Sequence, residues 1–226
     1  MNPEISIVIR SRNEAYWIGQ CLKAISMQDK KNYEIIIVDN ESSDHTLGIA
    51  KNYDCKVISI PKKEFNYSKA LNLGIRKSKG KLVAILSAHC IPLNERWLSR
   101  LSMHFSNPNV SAVYGKQEPL IDSDPIDKRD LWVTFGYDRK FQRKDFFFHN
   151  ANSMIRKKLW EKNKFNENID GLEDQEWAKK VLKKNNIIIY EPNAVVFHYH
   201  GIHQSNDKER VLRNVKVIEY IQRKTR

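Results

Sequence analysis

Apolar positions in the first half of the chain switch between two periods. Unbroken apolar, largely β-branched runs stand at 5–10 (ISIVIR), 33–38 (YEIIIV), 56–60 (KVISI), 82–86 (LVAIL) and 110–114. Such runs predict strands buried on both faces. Between them the spacing becomes helical. Ile18, Leu22 and Ile25 share a face within 15–28, and Trp97, Leu98, Leu101 and Phe105 do so after the capping residue Asn94. Ser42, Ser43 and Asp44 supply caps for a short helix over 44–52. Another helix over 66–77 stops at Ser78-Lys79-Gly80, with Gly80 as its expected left-handed terminator. Strands alternating with amphipathic helices predict βαβ units, and hence an α/β fold with a mostly parallel central sheet flanked by helices.

The pattern changes after Lys116. Residues 117–145 are polar, acidic and then basic without a sustained period, which predicts a long loop or excursion. The segment 146–154 (FFFHNANSM) resumes as a strand. A helix follows over 172–184, with Trp177, Val181 and Leu182 together, and then two strands at 187–190 and 194–200. Residues 206–226 read as a basic amphipathic helix carrying Val211, Val215 and Ile218 at helical spacing. With 226 residues, 41% of them hydrophobic, the chain has enough material for one substantial core. One domain over 1–205 is expected, followed by the helical tail.

Composition narrows the partners. A formal net charge of +12 favours polyanions: nucleotide phosphates, anionic lipid or nucleic acid. It also suits a lysine-rich solvated surface. No recognised nucleic-acid-binding motif is present, so nucleic acid is not an expected partner. The apolar runs are strand-sized, and the opening MNPEISIVIRSRNE lacks the shape of a secretory signal. Cys21, Cys55 and Cys90 are odd in number and widely spaced, which favours a reducing compartment. A cytoplasmic location follows as the expectation, with any membrane contact peripheral.

Parallel sheets bind ligands at the carboxyl ends of their strands. That rule points to Arg10-Ser11-Arg12-Asn13-Glu14, to Asp39-Asn40-Glu41 and to Ser87-Ala88-His89. Asp39 could accept hydrogen bonds from a ribose or base edge, or simply start a turn. Arg10 and Arg12 could pair with a diphosphate, although one of them suffices as surface charge. Glu173 and Asp174 open a helix, where the dipole stabilises carboxylates; one of them could equally serve as a general base. His198 and His200 fall on one face of a strand and could hold a metal or a phosphate, or merely pack. Phosphate-loop, dinucleotide, nucleophile-elbow and zinc-protease templates are all absent.

The order of these features resembles the family 2 inverting glycosyltransferases of the GT-A fold, the group that makes bacterial surface polysaccharides. ISIVIRSRNEAYWIGQCLKAISMQ is similar to the family's first strand and helix, and YEIIIVDNESSDHT to its second-strand acidic motif. FNYSKALNLGIRKSKGKLVAIL resembles the approach to its metal strand, FHNANSMIRKKLW its acceptor-side strand and helix, and NENIDGLEDQEWAKKVLKKN the segment bearing its base. The resemblance spans about 4–200. It implies a nucleotide-binding half over about 1–115 and an acceptor half over about 116–205. It implies that Arg10, Arg12, Glu14, Asp39, Ser87 and Ala88 line the nucleotide site. Asp174, with Glu173 as the lesser candidate, would be the base. The implied partners are a nucleotide-sugar donor and a glycan or lipid-linked acceptor. The family's Asp-x-Asp falls on Ser87-Ala88-His89, so the first carboxylate is missing. Some relatives use Asp-x-His with a downstream histidine. His89 with His198 or His200 could therefore hold Mn2+ or Mg2+. In the alternative the enzyme is metal-independent and cationic side chains neutralise the leaving group. Two rivals remain. A nucleotidyltransferase would carry a glycine-rich loop where this chain reads RSRNEAYW, and a non-catalytic nucleotide- or sugar-binding module would explain the altered metal motif.

Overall fold

The computed structural model describes residues 2–201 and 208–223. In chain order its strands are β1 (Ile5–Ser11), β2 (Tyr33–Asp39), β3 (Lys56–Ser59), β4 (Leu82–Ser87), β5 (Cys90–Pro92), β6 (Val110–Pro119), β7 (Lys140–Gln142), β8 (Asn152–Arg156) and β9 (Ile187–His198). Its helices are α1 (Ile18–Ser26), α2 (Thr46–Ala50), α3 (Tyr67–Lys77), α4 (Trp97–Ser102), α5 (Pro125–Thr134), α6 (Lys157–Lys162), α7 (Glu173–Leu182) and α8 (Lys208–Arg223).

All the strands join one sheet, in the order β3-β2-β1-β4-β8-β6-β9-β5, with β7 on β9. The pairs β1–β2, β1–β4, β2–β3 and β6–β9 are parallel, and β8, β5 and β7 run against their neighbours. Side-chain alternation splits the core into two layers. Ile5, Ile7 and Ile9 of β1 pack with Leu22 and Ile25 of α1 and Trp97 and Leu101 of α4. Val8, with Val83 and Ile85 of β4, packs on Leu71 and Ile75 of α3 and Trp177 and Val181 of α7. The continuous apolar runs of β1, β2 and β4 are thus explained, since helices cover both faces of the sheet there; β3 departs from the expectation, being an edge strand with Lys56, Val57 and Ser59 exposed.

Several expectations need correction. Gly80 does not end α3 in a left-handed turn; the helix closes on Ser78 in extended geometry. Gly80 is needed for close approach instead, because a Cβ there would lie 2.6 Å from the Ser6 backbone nitrogen. The 117–145 segment is not an irregular excursion. It holds the end of β6, helix α5 capped by Asp124 with Pro125 in its first turn, and the edge strand β7. Within α5 only Leu131 is buried, so no apolar stripe marks the helix. Residues 146–151 are not strand; the Phe run mimics one while sending Phe148 into the core. The two strands expected over 187–200 are one, β9, which continues through Glu191-Pro192-Asn193 opposite a register shift at Gly115/Gln117. His200 lies just beyond it. Part of the expected tail helix, 206–207 and 224–226, falls outside the described residues.

Candidate active site

The carboxyl ends of β1 and β4 meet the start of the antiparallel strand β8. Leu86 pairs with Asn152, and Ser87 N–H donates to Ala151 O. Two adjoining cavities open along this edge. One, of about 230 Å³, is lined by Arg10, Ser11, Arg12, Glu14, Phe65, Tyr67, Ser87 and His89. The other, of about 130 Å³, is lined among others by Arg10, Tyr67, His149, Asn150, Glu173 and Asp174. Arg10 and Tyr67 belong to both, and the Arg10 guanidinium sits 4.9 Å from the Tyr67 ring centroid.

In the second cavity the chain reaches α7 through Gly171 (φ 96°) and Leu172 (φ 53°), both in the left-handed region. Leu172 is strained there, the kind of local cost that clusters at functional positions. This turn seats Glu173 and Asp174 in the first turn of the helix, where both are buried. Asn150 organises the pair. Its backbone N–H donates to Asp174 Oδ2 at 3.0 Å and its side-chain amide to Glu173 Oε1 at 3.3 Å. Glu173 Oε1 lies 3.7 Å from Arg10. Burial and the neighbouring Asp174 charge push the Glu173 carboxyl above its ordinary range, against the pull of Arg10. Burial also raises Asp174, opposed by the N–H groups of Asn150 and Gln175 and by Arg10. Two close carboxylates with raised proton affinity beside one guanidinium can exchange a proton with a bound hydroxyl.

The first cavity ends at the histidines. His89 occupies the tight turn between β4 and β5, and Cys90 of β5 pairs with His198 of β9. That pairing stacks the His89 and His198 rings at 5.2 Å, with His200 4.5 Å from His198. One ligand atom from each imidazole lies within 4.8 Å of the others. Burial, then the neighbouring imidazoles, hold His198 well below the ordinary histidine range; burial and His89 take His200 down to about 4. Both therefore stay neutral near pH 7, the form that donates a lone pair.

The other expected residues are placed as follows. Glu14 turns to His89, with Oε1 2.7 Å from Nδ1. Asp39 is buried at the end of β2, and its carboxylate accepts from Ser42 N–H and Ser42 Oγ–H at 2.9 and 2.6 Å; it lies in neither cavity. Arg12 is exposed at the rim. Ser87 lines the first cavity, while Ala88 packs into the core. Arg139, in the basic part of the 117–145 segment, is tied to buried Glu191. Residues not anticipated as site residues are Tyr67, His149, Asn150, and Arg210, Arg213 and Asn214 of α8, which closes over the second cavity. The block FHNANS held a signal for two of them: polar residues interrupting an apolar run next to a strand.

A mostly parallel sheet with a polar cleft at its carboxyl edge, a buried carboxylate pair and a histidine cluster place the chain among α/β proteins with a ligand site at the carboxyl ends of the strands. Residues 6–163 match Glycosyl transferase family 2, and the chain belongs to that family. It is 36% identical over 122 residues to glycosyltransferase AglE of Haloferax volcanii, covering 51% of this chain and 40% of that protein. It is 24% identical over 210 residues to the O-antigen chain rhamnosyltransferase RfbN of Salmonella typhimurium, covering 88% of this chain and 67% of that one. Among solved structures, it superposes with a TM-score of 0.66 at 20% identity on mannosyltransferase PcManGT from Pyrobaculum calidifontis in complex with GDP-Man and Mn2+. That match covers 88% of this chain and 57% of the other, and it shows the GT-A-like fold. The chain thus spans between two fifths and two thirds of the length of these proteins.

Proposed function

We propose that this chain transfers a sugar, with inversion, from a nucleotide-sugar donor to a glycan or lipid-linked acceptor in surface polysaccharide synthesis. The observation that carries the reading is the Glu173–Asp174 pair facing Arg10 across a cavity contiguous with the histidine-lined one. The division is a nucleotide half over about 1–115 and an acceptor half over about 116–205, and α8 adds to the acceptor side. Asp174 takes the proton of the acceptor hydroxyl, and the acceptor oxygen bonds to the anomeric carbon. The bond from that carbon to the diphosphate oxygen breaks on the opposite face, and its electron pair leaves with the nucleoside diphosphate. Arg10, and Arg12 at the rim, bind the diphosphate. Asn150 keeps both carboxylates aimed.

The histidine cluster suits a divalent cation. His198 is buried, and neither of its ring nitrogens has a hydrogen-bond partner among the described residues. Imidazoles are competent ligands for such an ion. His89, His198 and His200 would hold it, and when bound it would stabilise charge on the departing diphosphate.

Among the described residues no helix is long and apolar enough to cross a membrane. Membrane contact would be peripheral, at the cytoplasmic face, and the exposed Val211, Leu212 and Val215 of the cationic helix α8 support it. The test is calorimetric titration with UDP, GDP, CDP and dTDP, each in EDTA and in Mn2+. Selective binding of one nucleotide supports the reading. Failure of all four in both conditions overturns it and favours the non-catalytic binding module. Asp174→Asn should abolish transfer and leave nucleotide binding nearly intact; a fully active variant would move the base to Glu173.

A further inference from the structure

Helix α5 carries apolar side chains on more than its core face. Leu131, with Phe135 just past the helix, enters the core. Ile126, Trp132 and Val133 lie outside that face and are 49%, 57% and 77% exposed, and Tyr137 in the loop that follows is 82% exposed. The outward side of a surface helix is ordinarily polar. Two of these exposed rings are also held in place. Lys116 of β6 is 4% exposed, and its Nζ lies 2.5 Å from Glu118 Oε1 and 3.6 Å from the Tyr137 ring centroid. The other carboxylate oxygen, Glu118 Oε2, accepts from Trp132 Nε1–H at 3.1 Å. Between the two rings, Tyr190 Oη–H donates to Gly136 O at 2.7 Å and pins the turn. Taking an ion pair out of water is costly. Leu131 and Phe135 already seat α5 on the core, so what the Lys116–Glu118 pair adds is the orientation of two aromatic rings towards solvent. Lys116 covers one face of Tyr137 and leaves the other open.

Resting on the transferase reading above, we infer that Trp132 and Tyr137 form a subsite for a neutral sugar unit of the acceptor glycan, outside the reaction cavity. A pyranose presents an apolar C–H face that fits a flat ring, and hydroxyls at its edge that need polar partners. Rings already fixed lose little freedom on binding. Glu118, at the edge of the Trp132 indole, keeps lone pairs for a sugar hydroxyl. Charge selects the ligand class. Residues 120–138 carry five aspartates against Lys128 and Arg129, in a chain whose formal net charge is +12. This local excess of negative charge disfavours a phosphorylated or acidic sugar, and an anionic lipid surface equally. Position ties the subsite to the reaction. Gln117, between Lys116 and Glu118, reaches to 3.0 Å from His149 Nδ1, and His149 lines the cavity that holds Glu173 and Asp174. Phe135, three residues after Trp132, meets the same imidazole edge-on at 6.4 Å. Neither Trp132 nor Tyr137 lines either cavity, so the unit they hold stands further back along the glycan than the one being glycosylated. The consequence is a preference for an oligosaccharide over a single sugar.

The test follows the tryptophan indole N–H signals of the 15N-labelled full chain by NMR, with Trp132→Phe identifying the signal of Trp132. The probes are manno-, malto- and cello-oligosaccharides from monosaccharide to hexasaccharide; stacking reads the apolar face of the ring rather than the linkage, so the panel suffices. The Trp132 signal should shift, with affinity rising with chain length. Trp132→Ala and Tyr137→Ala should each weaken binding about 3- to 10-fold while thermal unfolding stays unchanged. Oligogalacturonate, the acidic counterpart, should bind at least about tenfold more weakly. No shift of the Trp132 signal with any neutral oligosaccharide overturns the inference, and so does equal binding of the acidic one. Trp132 emission that moves with phosphatidylglycerol vesicles, or with protein concentration, and not with sugar also overturns it, and assigns the rings to lipid or to a second copy of the chain. The nucleotide titration separates this inference from the reading it rests on. Nucleotide binding without glycan binding sinks the subsite alone, whereas glycan binding without nucleotide binding keeps the rings as a sugar site and sinks the transferase.

Discussion

Glu191 offers a quantitative test of how the sheet is held where it carries His198. Its side chain is fully buried in β9. Oε2 lies 2.7 Å from His104 Nε2 and accepts from Arg139 Nε at 2.8 Å, while Oε1 accepts from the backbone N–H and side-chain amide of Asn193 at 3.0 Å each. Burial alone would raise the carboxyl. The His104 and Asn193 bonds and the Arg139 charge outweigh it and pull the pKa from 4.5 to about 2. A carboxyl depressed on folding stabilises the folded state above its unfolded pKa, and that contribution is lost as pH falls towards the folded value. The drop corresponds to about 3 kcal/mol at pH 7 and about 1.4 kcal/mol at pH 3. Glu191→Gln keeps shape and removes the charge. At about 2.5 kcal/mol per molar urea for a chain of this size, the pH 7 unfolding midpoint should fall by about 1.2 M. At pH 3 the deficit should be roughly half. Equal deficits at the two pH values, or none at pH 7, would refute the assignment of stability to this charge.

Other consequences can be checked more briefly. Glu173 and Asp174 have carboxyls raised on folding, so their ionised forms cost stability above the ordinary carboxylate range and cost nothing below it. Asp174→Asn should therefore raise Tm at pH 7 but not at pH 3.5 in thermal melts, while transfer is lost. Gly80→Ala places a Cβ 2.6 Å from Ser6 N and 2.7 Å from Ile5 C, backbone that cannot yield, so chemical denaturation should report a loss of about 2 kcal/mol or more. If α8 meets lipid, the protein should float with vesicles rich in phosphatidylglycerol but not with neutral ones, and Leu212→Asp should abolish flotation. Arg10→Gln should weaken nucleotide binding and move the acidic limb of the kcat/KM profile to higher pH, because a charge that lowers both carboxyls is gone and the base ionises later.

The first half of the chain was legible because its physics is local. Ile5, Ile7 and Ile9 face one helix layer and Val8 the other, so burial on both faces writes itself as an unbroken apolar run. The second half was less legible because its structure depends on distant partners. Residues 191–193 read as a break, but the buried Glu191 carboxylate is paired with Arg139 and lies 2.7 Å from His104 Nε2, partners from elsewhere in the chain that accommodate it inside a continuous β9. Helix α5 buries one residue and has no periodic stripe. Among candidate site residues, His89, His198 and His200 do cluster, a result that rests on the antiparallel register of Cys90 with His198. No spacing rule contains that register. Glu14 was expected beside a nucleotide and is found on His89, because the loop after β1 and the β4–β5 turn converge.

Arg10 links the two halves of the proposed chemistry. It lies in both cavities, and its guanidinium acts on Glu173 at 3.7 Å while facing the space assigned to the diphosphate. Its hold lowers the proton affinity of both carboxylates, against the burial that raises it. A diphosphate bound at Arg10 would draw on the same charge. The carboxylates would then feel burial more fully and become stronger bases once the donor is in place. A base strengthened by donor binding favours proton abstraction only when a leaving group is present, which limits futile deprotonation in its absence. The arrangement needs one arginine, shared by position at the end of β1, rather than a moving part. It also accounts for a guanidinium here rather than an ammonium: the planar fork can face the diphosphate while its other edge stays on Glu173.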